Sequence, residues 1–348
     1  MSSNNQRTLG LVQVWPTDER ETTMDVVAIH GLDTRSPQTW VAFENEADPH
    51  SRVVHWLKDS DMLPAFLSDT RIFTYDWNAN TTDGASKQYF HSHAEQFLHR
   101  LQRARQGPRS VVVSIFIPGL RSCLITHIET KALTIAAGLE KYRSICKATC
   151  GIMFLGTPFR GSRGTSSGQH RVTLACLSGK VASHALLNVI DKDLNEGRLE
   201  ELRNHFCDLF IQKWGSDAPL KVVCFYETEP TQITRAALPS WVQSRLVERG
   251  IRMLTREIFE FALGDSESAC LEGLGREAIN VRHAMLNKFR GRDGNFMAVI
   301  GAIQSIIRGK GHDTIATVAG ATTPSSLLRT LTEEEQVCAR QFRLSDYR

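Results

Sequence analysis

The chain has 348 residues, enough for one large domain or two of ordinary size. Its hydrophobic content of 41% and charged content of 23% are typical of a globular protein, and its net charge of +3 is too small to indicate nucleic-acid binding. No apolar run reaches the roughly 18 residues that a membrane helix needs, and the N-terminus lacks the apolar core of a signal peptide. We therefore expect neither a transmembrane segment nor export.

The first half of the chain predicts three buried strands and one helix. Continuous apolar runs suit parallel strands that are buried on both faces, and such runs lie at residues 24–32, 70–77 and 110–117. Before the third run, residues 92–104 have the apolar spacing of a helix, carried by Ala94, Phe97, Leu98 and Leu101. The three histidines of this segment, His91, His93 and His99, are expected to face solvent.

The second half continues the alternation. Residues 126–142 predict a helix whose apolar stripe consists of Ile128, Ala132, Ile135, Ala136 and Leu139. Further strands are predicted within residues 150–162, at 220–228 and, as a short sixth strand, at 278–280. A closing helix is predicted over residues 295–309, ending at Gly309.

Strands that alternate with helices indicate the α/β class, with a mainly parallel sheet and helices on both faces. We expect one domain over residues 9–308, with a helical insertion or cap at 165–219. Residues 1–8 are expected to be flexible. Residues 309–348 read as a small polar linker followed by a short helix, because Thr332 and Glu335 are spaced as a capping box.

Chemically useful residues follow several of these strands, at the sheet edge where ligands bind in parallel α/β folds. The segment "HGLDTRSPQTW" follows the first strand, "PGLRSCLITHIETKAL" the third and "YETEP" the fifth, and His283 follows the sixth. Oxyanion loop, nucleophile, acid and histidine then occur in the order of the α/β-hydrolases. A histidine oriented by a carboxylate would activate a hydroxyl or thiol, while backbone N–H groups hold the oxyanion.

The segments "DVVAIHGLDTRSPQTW", "LPAFLSDTRIFTYDWNA", "GIMFLGTPFRGS", "FYETEPT" and "RHAMLNKF" resemble a fungal lipase-like hydrolase module. That module is related to the serine-active-site-containing lipase-like family (DUF676 type) and is found N-terminal to NACHT or repeat domains. The resemblance covers residues 9–307 and implies an α/β-hydrolase fold.

The resemblance also implies site residues. It places Cys123 at the nucleophile, with Ser122 one residue early as the other choice, and implies Glu227 as the acid and His283 as the base. Asp265 and Glu267 are alternative acids. The implied oxyanion donors are Gly31, Leu32 and Leu124.

One departure from the family concerns the nucleophile turn. Where the family has two glycines, this chain has Ile125 and Thr126, and β-branched residues add bulk where the strand and helix pass closely. Two hypotheses follow. The chain is either a hydrolase of an ester or thioester, or a catalytically impaired hydrolase-like module that acts in sensing or signalling.

The remaining expectations concern ligands and compartment. The eight cysteines are scattered singly, and no metal site or cofactor is expected, since triad chemistry needs none. A small-molecule or lipid ester is the expected substrate of an active enzyme, and a protein partner is expected for a signalling module; no nucleic acid is expected. We expect a cytoplasmic protein, with peripheral attachment to a mitochondrial or endoplasmic-reticulum membrane as the alternative.

Overall fold

The computed structural model describes fourteen stretches of the chain, and every structural statement below refers to them: residues 9–31, 34–36, 38–48, 50–80, 90–105, 110–116, 125–156, 201, 204–208, 220–229, 231–232, 260–261, 275–282 and 285–316.

A seven-stranded sheet organises the described residues, in the spatial order β1-β5-β2-β6-β7-β8-β11. Its strands are β1 (Gly10–Trp15), β2 (Met24–Ile29), β5 (Thr70–Asp76), β6 (Ser110–Phe116), β7 (Thr149–Leu155), β8 (Lys221–Glu229) and β11 (Gly275–Arg282). Two small antiparallel pairs accompany it: β3 (Val41–Phe43) with β4 (Val53–His55), and β9 (Thr231–Gln232) with β10 (Glu260–Phe261).

The helices are α1 (Phe90–Ala104), α2 (Ile125–Gly138), α3 (Arg143–Ala148) and α4 (Gly294–Ala316). Short 3-10 turns occur at Gln38–Trp40, Leu63–Phe66 and Glu140–Tyr142. Residues 204–208 are also helical.

The expectation of a mainly parallel sheet is confirmed for every pair of neighbouring strands except one. The exception is β1, which pairs antiparallel with β5 at the sheet edge. Sequence analysis did not predict β1, because the strand is only partly buried and carries no continuous apolar run. Counting the two small pairs as well, the sheets are partly parallel.

Two apolar cores cover the two faces of the sheet. Strand β2 shows why its run is unbroken: Val27 faces the core formed with α1 and α2, whereas Val26 and Ala28 face the core formed with residues 40–67 and α4. All these β2 side chains are fully buried. Burial on both faces is therefore the reason for continuous rather than alternating hydrophobicity.

Several sequence expectations change in detail. The stripe of α2 is buried as predicted, but Leu139 follows the helix and is 40% exposed. The sixth strand is longer than predicted, and α4 continues beyond Gly309 to Ala316. A glycine costs a helix only about 1 kcal/mol, so it does not by itself end one. Within the described residues, no helix is long and apolar enough to cross a membrane.

Candidate functional site

The sheet has a topological switch point between β2 and β6. The chain leaves β2 toward β5 on one side, with residues 40–67 in the core of one face, whereas it leaves β6 toward β7 on the other side, with α2 on the opposite face. Connections that diverge in this way open a crevice at the carboxyl ends of the two strands, where open α/β sheets bind ligands. The site predicted from the sequence has its oxyanion loop after β2 and its nucleophile turn after β6.

The loop after β2 is anchored by its own backbone and side chains. Gly31 is buried, and its carbonyl oxygen accepts a hydrogen bond of 2.7 Å from the Thr34 hydroxyl. The Nδ1 atom of His30 lies 2.9 Å from the same carbonyl oxygen and 3.2 Å from the Thr34 Oγ1 atom. Of the predicted oxyanion donors, Gly31 is therefore described, and its carbonyl is directed toward the protein interior.

His30 also contacts the end of the neighbouring strand β5. Its Nε2 atom lies 2.6 Å from the Asp76 Oδ1 atom, and both side chains are almost completely buried. The backbone N–H of Trp77 lies 3.1 Å from Nε2, and the Trp77 indole N–H donates to the His30 carbonyl at 2.9 Å. The buried imidazole thus connects the ends of β2 and β5.

Sequence analysis missed this cluster, although "TYDW" places an acidic and an aromatic residue at the end of a buried strand. It also predicted that His93 faces solvent, and that prediction was wrong. His93 is 2% exposed, with its ring 4.8 Å from that of Trp77, and burial lowers its pKa to about 4. The spacing could have shown this burial, because His93 lies four residues before Phe97 and eight before Leu101 on the buried face of α1. Only the contact with Trp77 depends on the tertiary structure.

Glu227, the predicted acid, lies near the carboxyl end of β8 and is 4% exposed. Side chains alternate along a strand, so Glu227 lies on the same face as Phe225, which packs in the core formed with α4. Across the sheet it pairs in register with Ile279 of β11. Further along the same pair of strands, Glu229 is in register with Arg282, the residue directly before His283.

The other predicted site residues lie outside the described part of the chain: Leu32, Ser122, Cys123, Leu124, Asp265, Glu267 and His283. The described neighbours bracket two of the positions. β6 ends at Phe116 and α2 begins at Ile125, and β11 ends at Arg282, directly before His283. Most of the predicted insertion at 165–219 also lies outside the described residues.

The residues aligned with the two family glycines are described in backbone. Ile125 and Thr126 are the first residues of α2. A helical backbone needs no glycine, so the positions do not require positive φ angles. At these positions glycine would therefore matter for its small size between the helix and the strand, and not for its backbone conformation.

Two side chains tie the loop before α4 to the segment that follows the oxyanion loop. The Asn287 amide donates to the Thr39 carbonyl at 2.7 Å. The Lys288 ammonium donates to the carbonyls of Gln38, Thr39 and Val41, and its burial lowers its pKa to about 8. Hydrogen bonds therefore join residues 38–41 to residues 287–288.

The described residues include no group of three or more His, Cys, Asp or Glu side chains arranged to hold a metal ion. Of the described cysteines, Cys150 and Cys224 are buried, and Cys146 and Cys207 are partly buried.

No protein-family model and no curated protein matches this chain. Solved structures similar to it are α/β-hydrolases. The mature lipase BlEst2 of Bacillus licheniformis is 13% identical with a TM-score of 0.46, and the match covers 83% of this chain and 97% of that chain.

Two further neighbours belong to different hydrolase classes. A loop variant of the haloalkane dehalogenase DbeA from Bradyrhizobium elkanii is 10% identical with a TM-score of 0.42, over 87% of this chain and 95% of that chain. YbtT, a type II thioesterase from the yersiniabactin biosynthetic pathway, is 11% identical with a TM-score of 0.37, over 87% of this chain and 98% of that chain. Likenesses this distant carry no argument about substrate or mechanism, and the lipase-like family resemblance stays a prediction.

Proposed function

We propose that residues 9–308 form an α/β-hydrolase domain of the lipase or esterase type, which cleaves an ester or thioester through an acyl-enzyme. The nucleophile is Cys123 or Ser122, His283 is the base and Glu227 is the acid. Backbone N–H groups at Gly31, Leu32 and Leu124 hold the oxyanion. The chemistry needs no cofactor, because the triad and the oxyanion donors supply every proton transfer and charge contact.

The observation that carries the proposal is the convergence of strand ends. Strands β2, β6, β8 and β11 are mutually parallel through their neighbours, so their carboxyl ends lie at one edge of the sheet. The chain supplies a buried glycine loop at the first, a Ser-Cys pair shortly after the second, a buried carboxylate at the third and a histidine directly after the fourth. The topological switch point lies between the first two.

A second function is supported by the start of α2. Ile125 and Thr126 begin the helix where the resembled family has glycines. β-Branched residues are bulkier than the glycines of that family, and such bulk would disfavour the strained nucleophile turn. In this alternative the domain has lost catalysis and serves as a sensing or signalling module that binds a protein partner.

Activity-based labelling separates the two functions. The intact protein is treated with a fluorophosphonate, which reacts with an activated serine, and with a thiol-reactive acyl probe, which reacts with an activated cysteine. The hydrolase proposal predicts labelling that is lost in either Ser122→Ala or Cys123→Ala and that falls by roughly 10³-fold or more in His283→Ala and Glu227→Gln.

Matched controls are Ser51→Ala and Cys146→Ala, which remove a hydroxyl and a partly exposed thiol far from the predicted nucleophile in sequence. Both should label as the wild type does. Labelling that is absent, or that persists unchanged in His283→Ala, contradicts the hydrolase proposal and favours the impaired module.

A further inference from the structure

We propose that His30 is a positioning residue, held by Asp76, which fixes the orientation of the Gly31 backbone at the mouth of the crevice. The catalytic consequence, a correctly directed oxyanion donor, rests on the hydrolase function proposed above. The orientation of the loop does not depend on the hydrolase function. The loop orientation and the catalytic consequence are therefore tested separately.

The Nδ1 side of the imidazole acts on the loop. The Gly31 carbonyl oxygen, 2.9 Å from Nδ1, can only accept a hydrogen bond. The Thr34 hydroxyl donates its hydrogen to that same oxygen at 2.7 Å. The Thr34 Oγ1 atom, 3.2 Å from Nδ1, is thereby left as an acceptor. With acceptors on both sides, Nδ1 carries the proton and donates it toward the Gly31 carbonyl.

The Nε2 side anchors the ring. Nε2 lies 2.6 Å from the Asp76 Oδ1 atom and 3.1 Å from the backbone nitrogen of Trp77. The Ser36 backbone N–H donates to the same oxygen at 3.3 Å. These contacts with the end of β5 and with the loop hold the Nε2 side of the ring in place.

Aromatic contacts fix the plane of the His30 imidazole. The His30 ring stacks on the Trp77 indole with centroids 6.0 Å apart and an interplanar angle of 19°. The Trp77 indole in turn contacts His93 edge-on. Rotation of the His30 ring would break the Gly31, Asp76 and Trp77 contacts together.

Peptide geometry carries the effect to the crevice. A trans peptide unit is planar, so contacts that hold the Gly31 carbonyl against the buried His30 ring would also restrict the N–H of the same peptide unit. That N–H belongs to Leu32, one of the proposed oxyanion donors. His30 therefore acts through the backbone and does not itself contact the substrate.

Two substitutions of His30 test the roles of its two ring nitrogens separately. In His30→Asn the side-chain amide reaches the position of Nδ1 and keeps a donor for the Gly31 carbonyl. In His30→Gln the amide reaches the position of Nε2 and keeps a partner for Asp76, but leaves no donor beside Gly31. Both replacements are neutral amides, so a general loss of packing affects both.

The first measurement is hydrogen–deuterium exchange of the amides at residues 31–36 in the full chain. We expect exchange to accelerate about tenfold or more in His30→Gln, and to stay within about threefold of the wild type in His30→Asn. A third variant, Thr34→Val, removes the second donor to the Gly31 carbonyl at a partly exposed position and should give an intermediate increase. Equal exchange in His30→Asn and His30→Gln, or no change in either, overturns the proposal.

The second measurement is turnover of a p-nitrophenyl ester. If the wild type hydrolyses it, His30→Gln should lower kcat by about tenfold or more with KM within about twofold, whereas His30→Asn keeps most of kcat. Equal kcat in the two variants also overturns the proposal. A wild type without turnover or labelling refutes the hydrolase function, and the exchange experiment then decides the role of His30 by itself.

Discussion

Acid should destabilise this protein partly through one buried histidine, His93. Its imidazole is 2% exposed on α1, and burial lowers its pKa from 6.5 to about 4. A histidine with a lower pKa in the folded state than in the unfolded state binds its proton more tightly after unfolding. Its contribution to stability is therefore complete above pH 6.5 and is lost progressively as the pH falls to about 4.

The magnitude follows from the two pKa values. Each pH unit within the window changes the free energy of unfolding by about 1.4 kcal/mol. Between pH 7 and pH 4.5, His93 alone should remove about 2.5 kcal/mol. That is a large share of the roughly 5–15 kcal/mol by which a typical domain is stable.

The assay is urea unfolding, followed by circular dichroism, at pH 7 and at pH 4.5. The variant is His93→Gln, which cannot titrate, and the control is His91→Gln, which replaces a 57% exposed histidine of the same helix. Each protein is compared with itself at the two pH values, so the packing cost of a substitution cancels. We expect His93→Gln to lose about 2.5 kcal/mol less than the wild type and the control do.

The reasoning is refuted if His93→Gln loses as much stability between the two pH values as the wild type. In that case the histidine would be neutralised or solvated equally in both states. The packing against Trp77 would then have no bearing on its protonation.

Two further predictions concern buried positions in strands β2 and β7. Asp25 is fully buried and pairs with Arg71 at 2.8 Å, so Asp25→Asn should lower the free energy of unfolding by about 3–5 kcal/mol, measured by urea unfolding. The control Asp18→Asn removes an exposed ion pair with Arg20 and should leave the free energy of unfolding nearly unchanged. An equal effect of the two would contradict the role of burial. A Cβ atom at Gly151 would lie 2.1 Å from the Ile306 Cγ2 atom, so Gly151→Ala should cost about 1–3 kcal/mol, and Ile306→Ala should recover part of that loss in the double variant. Strictly additive losses would show that the two residues do not compete for space.

Much of the fold could be predicted from the sequence because burial leaves a direct pattern. Strand β2 is apolar along its whole length since both faces are covered, and α1 shows its buried stripe at helical spacing. The edge strand β1 has no continuous apolar run, because it is only partly buried. The length of α4 was missed because glycine in a helix carries only a small energetic penalty.

Part of the candidate site could likewise be predicted from the sequence, and part could not. Chain order places Gly31 after β2, Glu227 near the end of β8 and His283 after β11, and the parallel sheet brings those strand ends to one edge. The pairing of His30 with Asp76 could not be predicted, since the residues are far apart in the chain and meet only because β5 lies beside β2.

The sequence by itself determined the α/β alternation, the doubly buried strands and the order of the residues proposed for catalysis, because each depends on local periodicity or on position along the chain. Only the tertiary structure decided which polar groups are buried together. It placed Trp77 against the buried His93, and it placed Asp76 of β5 against His30 of the β2 end. The physical reason is that desolvation and hydrogen-bond partners depend on neighbours from distant segments, and helical or strand periodicity contains no information about those neighbours.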